Sequence, residues 1–321
     1  MKKLIKNTGL MLLTLFCMVH SSCSKDNEPV SSRQEQVTVT LAMDSRGGEL
    51  DKDVKDLHVL FVQNSVVIAH VNYNETNPLS GNTIKVIGIK RVATDIYAIA
   101  NTSNIESLEN LLDEIKDGDE IPANFEQTIL NGIYPKVVAV DDYLPMSAKV
   151  SITNEEMRNA QNNIEKDVAL LRAVARLDIN IINTTSGSFT VNKINFGEFL
   201  AGGTYLFEGD KWNNFKQPSP GIDPTEISNN DNKTFSYYIY ESPEEQSSYT
   251  IALDAAGAPD AVKTPVCFMD NAKDESGNPV TSIKRNMHVI INATVESTGM
   301  PIHLNVDVLE WISKPLGPTY Q

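Results

Sequence analysis

Cysteine is scarce in this sequence, which has three cysteines among its 321 residues. Cys17 and Cys23 both lie in or just after an apolar stretch at the start of the chain, so only Cys267 remains for the rest. A single thiol cannot form an intramolecular disulfide bond, and the fold therefore has to be stabilised by a packed core. Cys267 stands between Val266 and Phe268, and we interpret it as an unreactive core thiol.

Positive charge is also in short supply. The chain has 27 Lys and Arg against 42 Asp and Glu, which gives a formal net charge of -15. A protein that binds nucleic acid presents a clustered basic face to the phosphates, so we expect no nucleic-acid partner here. An acidic surface mainly keeps a protein soluble and dispersed.

No motif of a catalytic or metal centre is present. Gly202 and Gly203 are an isolated pair that predicts a turn and not a phosphate-binding loop. No histidine has zinc-finger or metalloprotease spacing, and acidic groups such as Asp51, Asp53 and Asp56 lack the spacing of a calcium loop, so we interpret them as solvated. Paired carboxylates of a surface hydrolase need only proximity in space, but nothing singles out such a pair. We therefore predict no enzymatic activity, no catalytic residues, no metal and no cofactor.

The longest apolar run lies at the start of the chain, at residues 10–19, behind the basic residues Lys2, Lys3 and Lys6. It is too short to span a bilayer as a stable helix and predicts a signal peptide over residues 1–22. Ser21 and Ser22 precede Cys23, which predicts cleavage before Cys23 and lipidation of its thiol. Ordinary signal cleavage nearby, with Cys23 incidental, is the alternative.

Alternating apolar residues predict β-strands along most of the remaining chain. Val37, Val39 and Leu41 alternate with polar or small residues, and residues 57–62 and 66–71 predict a hairpin. The strand pattern resumes after residue 176 and continues to residues 302–312. Short strands at regular spacing favour a mostly β fold built from β-sandwiches.

Two helices are predicted. Apolar residues from Ile105 to Ile115 share one helical face, with Asn104 as a possible cap and Gly118 after the end. The stretch 154–165 is polar with weak periodicity, and we interpret it as a surface connection between two halves of the chain.

Seven segments together resemble the fimbrillin-type subunits of Bacteroidetes type V pili. They occur in an order and at spacings typical of that family, over nearly the whole chain, and the polar stretch after Cys23 resembles the surface-export signal of Bacteroidetes lipoproteins. The segments are Cys23 with its surroundings, Ile96-Tyr97-Ala98-Ile99-Ala100-Asn101, Leu144-Pro145-Met146-Ser147-Ala148, Arg172-Ala173-Val174-Ala175-Arg176-Leu177-Asp178, Tyr238-Ile239-Tyr240-Glu241-Ser242, Arg285-Asn286-Met287-His288-Val289 and the last strand, which ends at Trp311.

The resemblance implies two transthyretin-like β-sandwich domains and export to the cell surface as an outer-membrane lipoprotein. It also implies cleavage after an arginine by an arginine-specific protease. The matching arginine is Arg46, which two glycines follow, whereas cleavage at Arg33 would leave the first strand in place. The implied divisions are a signal peptide (1–22), a lipidated tether with a removable first strand (23–46), an N-terminal sandwich (47–165) and a C-terminal sandwich (166–321).

Assembly by strand exchange is the function that the resemblance implies, with other fimbrial subunits, of the same or an accessory kind, as partners. Loss of Val37, Val39 and Leu41 would open a groove that accepts another chain's strand. Ile302, Leu304, Val306 and Val308 alternate with polar residues and are the candidate donor, or else the last strand of their own domain.

Other roles stay open at this point. Only ten residues follow Trp311, and Pro315 and Pro318 interrupt them, which favours a tip, accessory or anchor subunit over a shaft subunit. A surface adhesin or glycan-binding lipoprotein that never polymerises is a further alternative, with Tyr205, Trp212, Tyr237 and Tyr238 as candidate contact residues.

Overall fold

The computed structural model describes residues 36–46, 54–74, 76–79, 81–103, 105–139, 143–207, 217–242, 244–297, 301–311 and 313–315. The predicted signal peptide, the lipidation site Cys23 and the tether lie outside these ranges, as do Gly47 and Gly48 after the predicted cleavage site. None of the helices in the described ranges is long and apolar enough to cross a membrane.

The described chain forms nineteen strands and two α-helices. In the first half these are β1 (Gln36–Arg46), β2 (Leu57–Gln63), β3 (Val66–Tyr73), β4 (Thr83–Lys90), β5 (Thr94–Ala100), α1 (Glu106–Glu114), β6 (Ile129–Asn131), β7 (Lys136–Val137), β8 (Met146–Ile152), α2 (Asn154–Asn159) and β9 (Asn163–Arg172). In the second half they are β10 (Val174–Asn183), β11 (Phe189–Phe196), β12 (Gly203–Tyr205), β13 (Thr225–Ile227), β14 (Asn232–Tyr240), β15 (Thr250–Ala256), β16 (Val266–Cys267), β17 (Met287–Val295), β18 (His303–Glu310) and β19 (Ser313–Pro315).

The first sandwich packs the strands β4, β1 and β9 against the strands β3, β2, β5 and β8. β9 belongs to both groups, because it runs parallel to β1 and its last two residues pair with β8. One apolar cluster fills the space between them, including Leu41 of β1, Phe61 of β2, Ile84 of β4 and Val168 of β9, all buried. The alternation in these strands sends every second side chain into this core.

The second sandwich packs a sheet of order β18-β17-β10-β14-β7 against a sheet of order β13-β11-β15-β16. Its core combines aliphatic residues of β10 and β17 with aromatic residues such as Phe189, Phe199, Tyr237 and Tyr249. Edge-to-face contacts between these rings, for example Phe196 with Tyr237, add to the burial of their apolar area.

A third cluster joins the two sandwiches. Leu108 and Leu112 of α1 pack there with Leu206, Tyr238 and Trp311 of the second half, all buried. The strand pairs β6–β12 and β7–β14 also cross between the two halves of the chain.

The predicted mostly β fold with few helices is confirmed. The hairpin of β2 and β3 is also confirmed, and its turn residues Asn64 and Ser65 have φ angles of 50° and 66°, as a tight two-residue hairpin turn requires. The predicted helix 105–115 is observed as α1, with Gly118 at φ 96° in the turn beyond it, while its predicted cap Asn104 lies outside the described residues.

The prediction for residues 154–165 was wrong in two respects. The helix α2 is a single capped stretch of six residues, since Thr153 and Glu156 form a capping box, and strand β9 already begins at Asn163. α2 connects β8 to β9 within the first sandwich and not one half to the other. The sheets change between Arg172 and Val174, later in the chain than the domain boundary predicted after residue 165.

Candidate functional site

Strand β1 lies in the interior of its sheet. One edge pairs in parallel with β9, from Thr38 to Ser45, and the other edge pairs antiparallel with β4, from Gln36 to Ala42. Backbone hydrogen bonds also hold it at both ends, from the Thr38 amide to the Asn162 carbonyl at 2.9 Å and from the Met43 amide to the Asn82 carbonyl at 2.7 Å. β1 therefore separates two neighbouring strands that do not pair with each other.

The apolar side chains of β1 lie inside the first sandwich. Val37, Val39, Leu41 and Met43 are each at most 3% exposed. Burying four such side chains contributes very roughly 6–12 kcal/mol before the cost of ordering the strand. The residues between them are only half-buried, so the strand has one core face and one outer face.

Arg46 is the last residue of β1. The segment from Asp44 to Arg46 pairs antiparallel with β19, near the end of the chain. On the other edge Ser45 pairs with Leu170 of β9. A protease binds its substrate as an extended chain, so access to the Arg46 backbone would require β19 to separate from it.

The candidate donor residues lie in and just before β18, which pairs antiparallel with β17 from Met287 to Thr294. Ile302, Val306 and Val308 are buried in the core of the second sandwich, and Leu304 packs against it half-exposed. The structure thus places the segment in its own domain, which is the alternative that the sequence left open.

Two of the four aromatic residues that suggested a glycan site are buried. Tyr237 and Tyr238 are at most 1% exposed, and Tyr205 is half-buried in β12. Trp212 lies outside the described residues. Burial raises the pKa of the Tyr237 phenol well above its ordinary value, as expected of a core tyrosine.

A polar cluster that the sequence patterns missed lies where β2 begins. Asp56 and His58 are buried, at 5% and 0% exposure, although the sequence predicted that Asp56 is solvated. Glu109 of α1 approaches them, and one oxygen or nitrogen of each side chain lies within 4.8 Å of the others. Glu109 follows Asp56 and His58 by about fifty positions in the chain, so no spacing motif predicts the cluster. β2 is buried on both faces and mostly apolar, so its pattern does not single out His58.

No family model matches this sequence, and no curated protein matches it. Solved structures do. The tip fimbrial protein Mfa3 from Porphyromonas gingivalis, with a C-terminal truncation, is 15% identical with a TM-score of 0.51, over 86% of this chain and 100% of that one. A fimbrilin from Porphyromonas gingivalis W83 is 14% identical with a TM-score of 0.52, over 86% and 98% of the two chains.

A fimbrial assembly protein from Parabacteroides distasonis is similar as well. It is 13% identical with a TM-score of 0.50, over 85% of this chain and 95% of that one. The structural match establishes a common fold. At identities this low, activity has to be argued from the site. The chain therefore has the two-sandwich fold of Bacteroidetes fimbrial proteins, as the resemblance in its sequence predicted.

Proposed function

We propose that this chain is a structural subunit of a cell-surface fimbria, exported as a lipoprotein, activated by proteolysis after Arg46 and assembled by strand exchange. The observation that carries the proposal is the position of β1. Its four apolar side chains fill the middle of the first sandwich, yet residues 47–53 are the single stretch of chain between it and the other described residues.

Removal of β1 would create an acceptor for another strand. β9 and β4 would each lose a hydrogen-bonded neighbour along most of their length. Unpaired backbone groups beside an exposed apolar core are a template for strand addition. A strand that supplied apolar side chains at every second position would restore both sets of contacts.

The partners follow from this sequence of events. Lipid on Cys23 would hold the precursor at the outer membrane, and an arginine-specific protease would release the folded part from that anchor. Other fimbrial subunits, of this or an accessory kind, would then supply the strand. Adhesion would follow from the assembled fibre and not from a ligand pocket in this chain.

The position of β18 bears on the type of subunit. If β18 left the second sandwich to act as donor, it would uncover the core that Ile302, Val306 and Val308 now fill. The exchange would then expose about as much apolar surface as it buries, so the geometry favours a subunit that accepts a strand over one that donates β18. A tip or accessory position fits this description, and an anchor would instead keep Cys23 attached to its fold.

Limited proteolysis with an arginine-specific endoprotease tests the proposal, whereas trypsin could also cut after Lys52 between β1 and β2. We expect a cut after Arg46, seen by N-terminal sequencing, followed by loss of residues before 47 and formation of oligomers, or of complexes with other subunits, on size exclusion. Arg46→Ala should block both the cut and the association, while the matched variant Arg33→Ala should block neither. Association of uncut protein, or a fully cut protein that remains monomeric with every candidate subunit, would contradict strand exchange.

A further inference from the structure

The polar cluster of Asp56, His58, Thr102 and Glu109 is built by three separate segments of the chain. Asp56 precedes β2, His58 is its second residue, Thr102 follows β5 and Glu109 lies on α1. Asp56 accepts hydrogen bonds from the Thr102 amide at 2.7 Å and from the Thr102 hydroxyl at 2.9 Å. The fold thus fixes Asp56 and Thr102 in the interior, while the Glu109 side chain reaches the cluster from α1 and is 31% exposed.

A chain of hydrogen bonds fixes which nitrogen of His58 carries a proton. The Ile115 carbonyl can only accept, so Nδ1 of His70, at 3.0 Å, is the donor to it. With one proton per ring, Nε2 of His70 is then an acceptor, and Nδ1 of His58 donates to it at 3.1 Å. This leaves Nε2 of His58 with a lone pair and no proton.

That lone pair has no hydrogen-bond partner among the described residues and faces a carboxylate. Nε2 of His58 lies 3.9 Å from Oε2 of Glu109, and the His58 side chain is 1% exposed. The two atoms are too far apart for a hydrogen bond, so a proton placed on Nε2 would not pair it with Glu109.

The cluster also has more acceptors than protons. The Thr102 hydroxyl lies within hydrogen-bond distance of both Asp56 and Glu109, but it has one hydrogen and can donate to only one of them. The Thr102 and Ser103 amides donate to Asp56 only, so the Thr102 hydroxyl offers the one proton that Asp56 and Glu109 share, and none of these donors reaches the His58 lone pair. A cation would satisfy all three groups at once.

We propose that Asp56, His58 and Glu109 bind a divalent transition-metal ion of the Zn²⁺ type. Imidazole nitrogen and carboxylate oxygen are ordinary Zn²⁺ ligands, and a histidine that ligates through one nitrogen while its other N–H donates to a fixed partner is the usual arrangement. His70 provides that partner. The ion would tie α1 to the start of β2 and so stabilise the contact between the two sandwiches, in which α1 takes part.

Calorimetric titration of the full chain with Zn²⁺, after removal of metals with a chelator, tests this proposal. We expect one Zn²⁺ per chain and a rise in melting temperature that grows with Zn²⁺ concentration. Glu109→Gln keeps the size of the side chain and removes its charge, so Zn²⁺ affinity should fall by at least about tenfold. Glu106→Gln, also in the first turn of α1 but exposed and outside the cluster, is the matched control and should leave the affinity unchanged.

X-ray absorption of the Zn²⁺-loaded protein identifies the ligands independently of stability. We expect nitrogen and oxygen neighbours, including an imidazole, and no sulfur, which separates this site from binding at the thiol of Cys267. Absence of Zn²⁺ binding by the chelator-treated wild-type chain, equal affinities of the wild type and Glu109→Gln, or a zinc–sulfur signal would each overturn the proposal.

Discussion

At the scale of single residues, Asp178 of β10 shows how this acidic protein places a charge inside a sheet. It is 9% exposed and accepts hydrogen bonds from Nε of Arg176 at 3.0 Å and Nε2 of His288 at 2.7 Å. Burial by itself would raise the pKa of this carboxyl. Hydrogen bonds from His288, Ser236 and Arg176 outweigh burial and lower the pKa to about 2. The folded protein therefore favours the charged form.

This arrangement predicts an acid-dependent loss of stability. The folded pKa lies below the ordinary value of 3.8, so the stabilisation is complete above about pH 4 and is lost as the pH falls toward 2. Asp178→Asn should lower the free energy of unfolding by about 2 kcal/mol at pH 7, and should flatten its dependence on pH between 4 and 2.

Denaturant unfolding at a series of pH values measures both effects. Asp260→Asn is the control, because Asp260 pairs with Lys263 on the exposed surface and should change the unfolding free energy little. Equal stability of Asp178→Asn and the wild type at pH 7 would show that the buried hydrogen bonds of Asp178 make no net contribution to the free energy of unfolding.

At the scale of elements, a substitution in β18 can test whether this strand belongs to the second sandwich before assembly. Val306 is 3% exposed and lies opposite Ile291 of β17. Val306→Asp would bury an unpaired charge, and we expect the uncut chain to lose on the order of 3 kcal/mol or more of unfolding free energy. Thermal melting and amide exchange of β17 would report the loss.

Asn305→Asp is the matched control for β18, since it adds the same charge to an exposed position of the same strand. It should leave the melting temperature nearly unchanged. If Val306→Asp melted like the wild type but failed to assemble, β18 would be a donor that contributes little to its own sandwich.

Elements with a clear apolar period could be predicted from the sequence, and those without one could not. The alternation of Val37, Val39 and Leu41 predicts β1, and the stripe from Ile105 to Ile115 predicts α1, because burial of one face dictates each pattern. Strand β9 starts with Asn163, Glu165 and other polar residues on its outer face, so its alternation resembles the end of a polar helix. The site at His58 depends on contacts between distant elements, which no local pattern records.

At the scale of the whole molecule, cleavage after Arg46 would change the folding of the first sandwich from a unimolecular to a bimolecular reaction. In the intact chain β1 is part of one molecule, and its pairing with β4 and β9 does not depend on protein concentration. Once the link is cut, β1 becomes a bound peptide, and mass action governs its occupancy.

We therefore expect the melting temperature of the cut protein to fall on dilution and to rise when a peptide of residues 36–46 is added. The uncut protein should show neither effect. Scanning calorimetry over a range of protein concentrations measures this, with a peptide carrying Leu41→Asp as the control that cannot fill the core. A cut protein that melts at one temperature at every concentration would mean that β1 does not dissociate.

The two sandwiches use the same strand arrangement with different covalent connections. β10 is parallel to β17 and antiparallel to β14, as β1 is parallel to β9 and antiparallel to β4. β10, however, follows β9 directly through Ala173 and continues into β11, so no single cut frees it.

Strand β4 has no strand partner other than β1 in the described part of the chain. If β1 were removed, Thr83–Lys90 would keep its side-chain anchors Ile84 and Ile89 and the hydrogen bond from Nε2 of Gln63 to the Lys90 carbonyl, and its backbone amides would become open to solvent exchange. An incoming strand would thus have to pair with β9, which stays ordered, and also with β4, which it would have to order again. The strength of a subunit junction would then depend on eight residues that the incoming chain must order again on arrival.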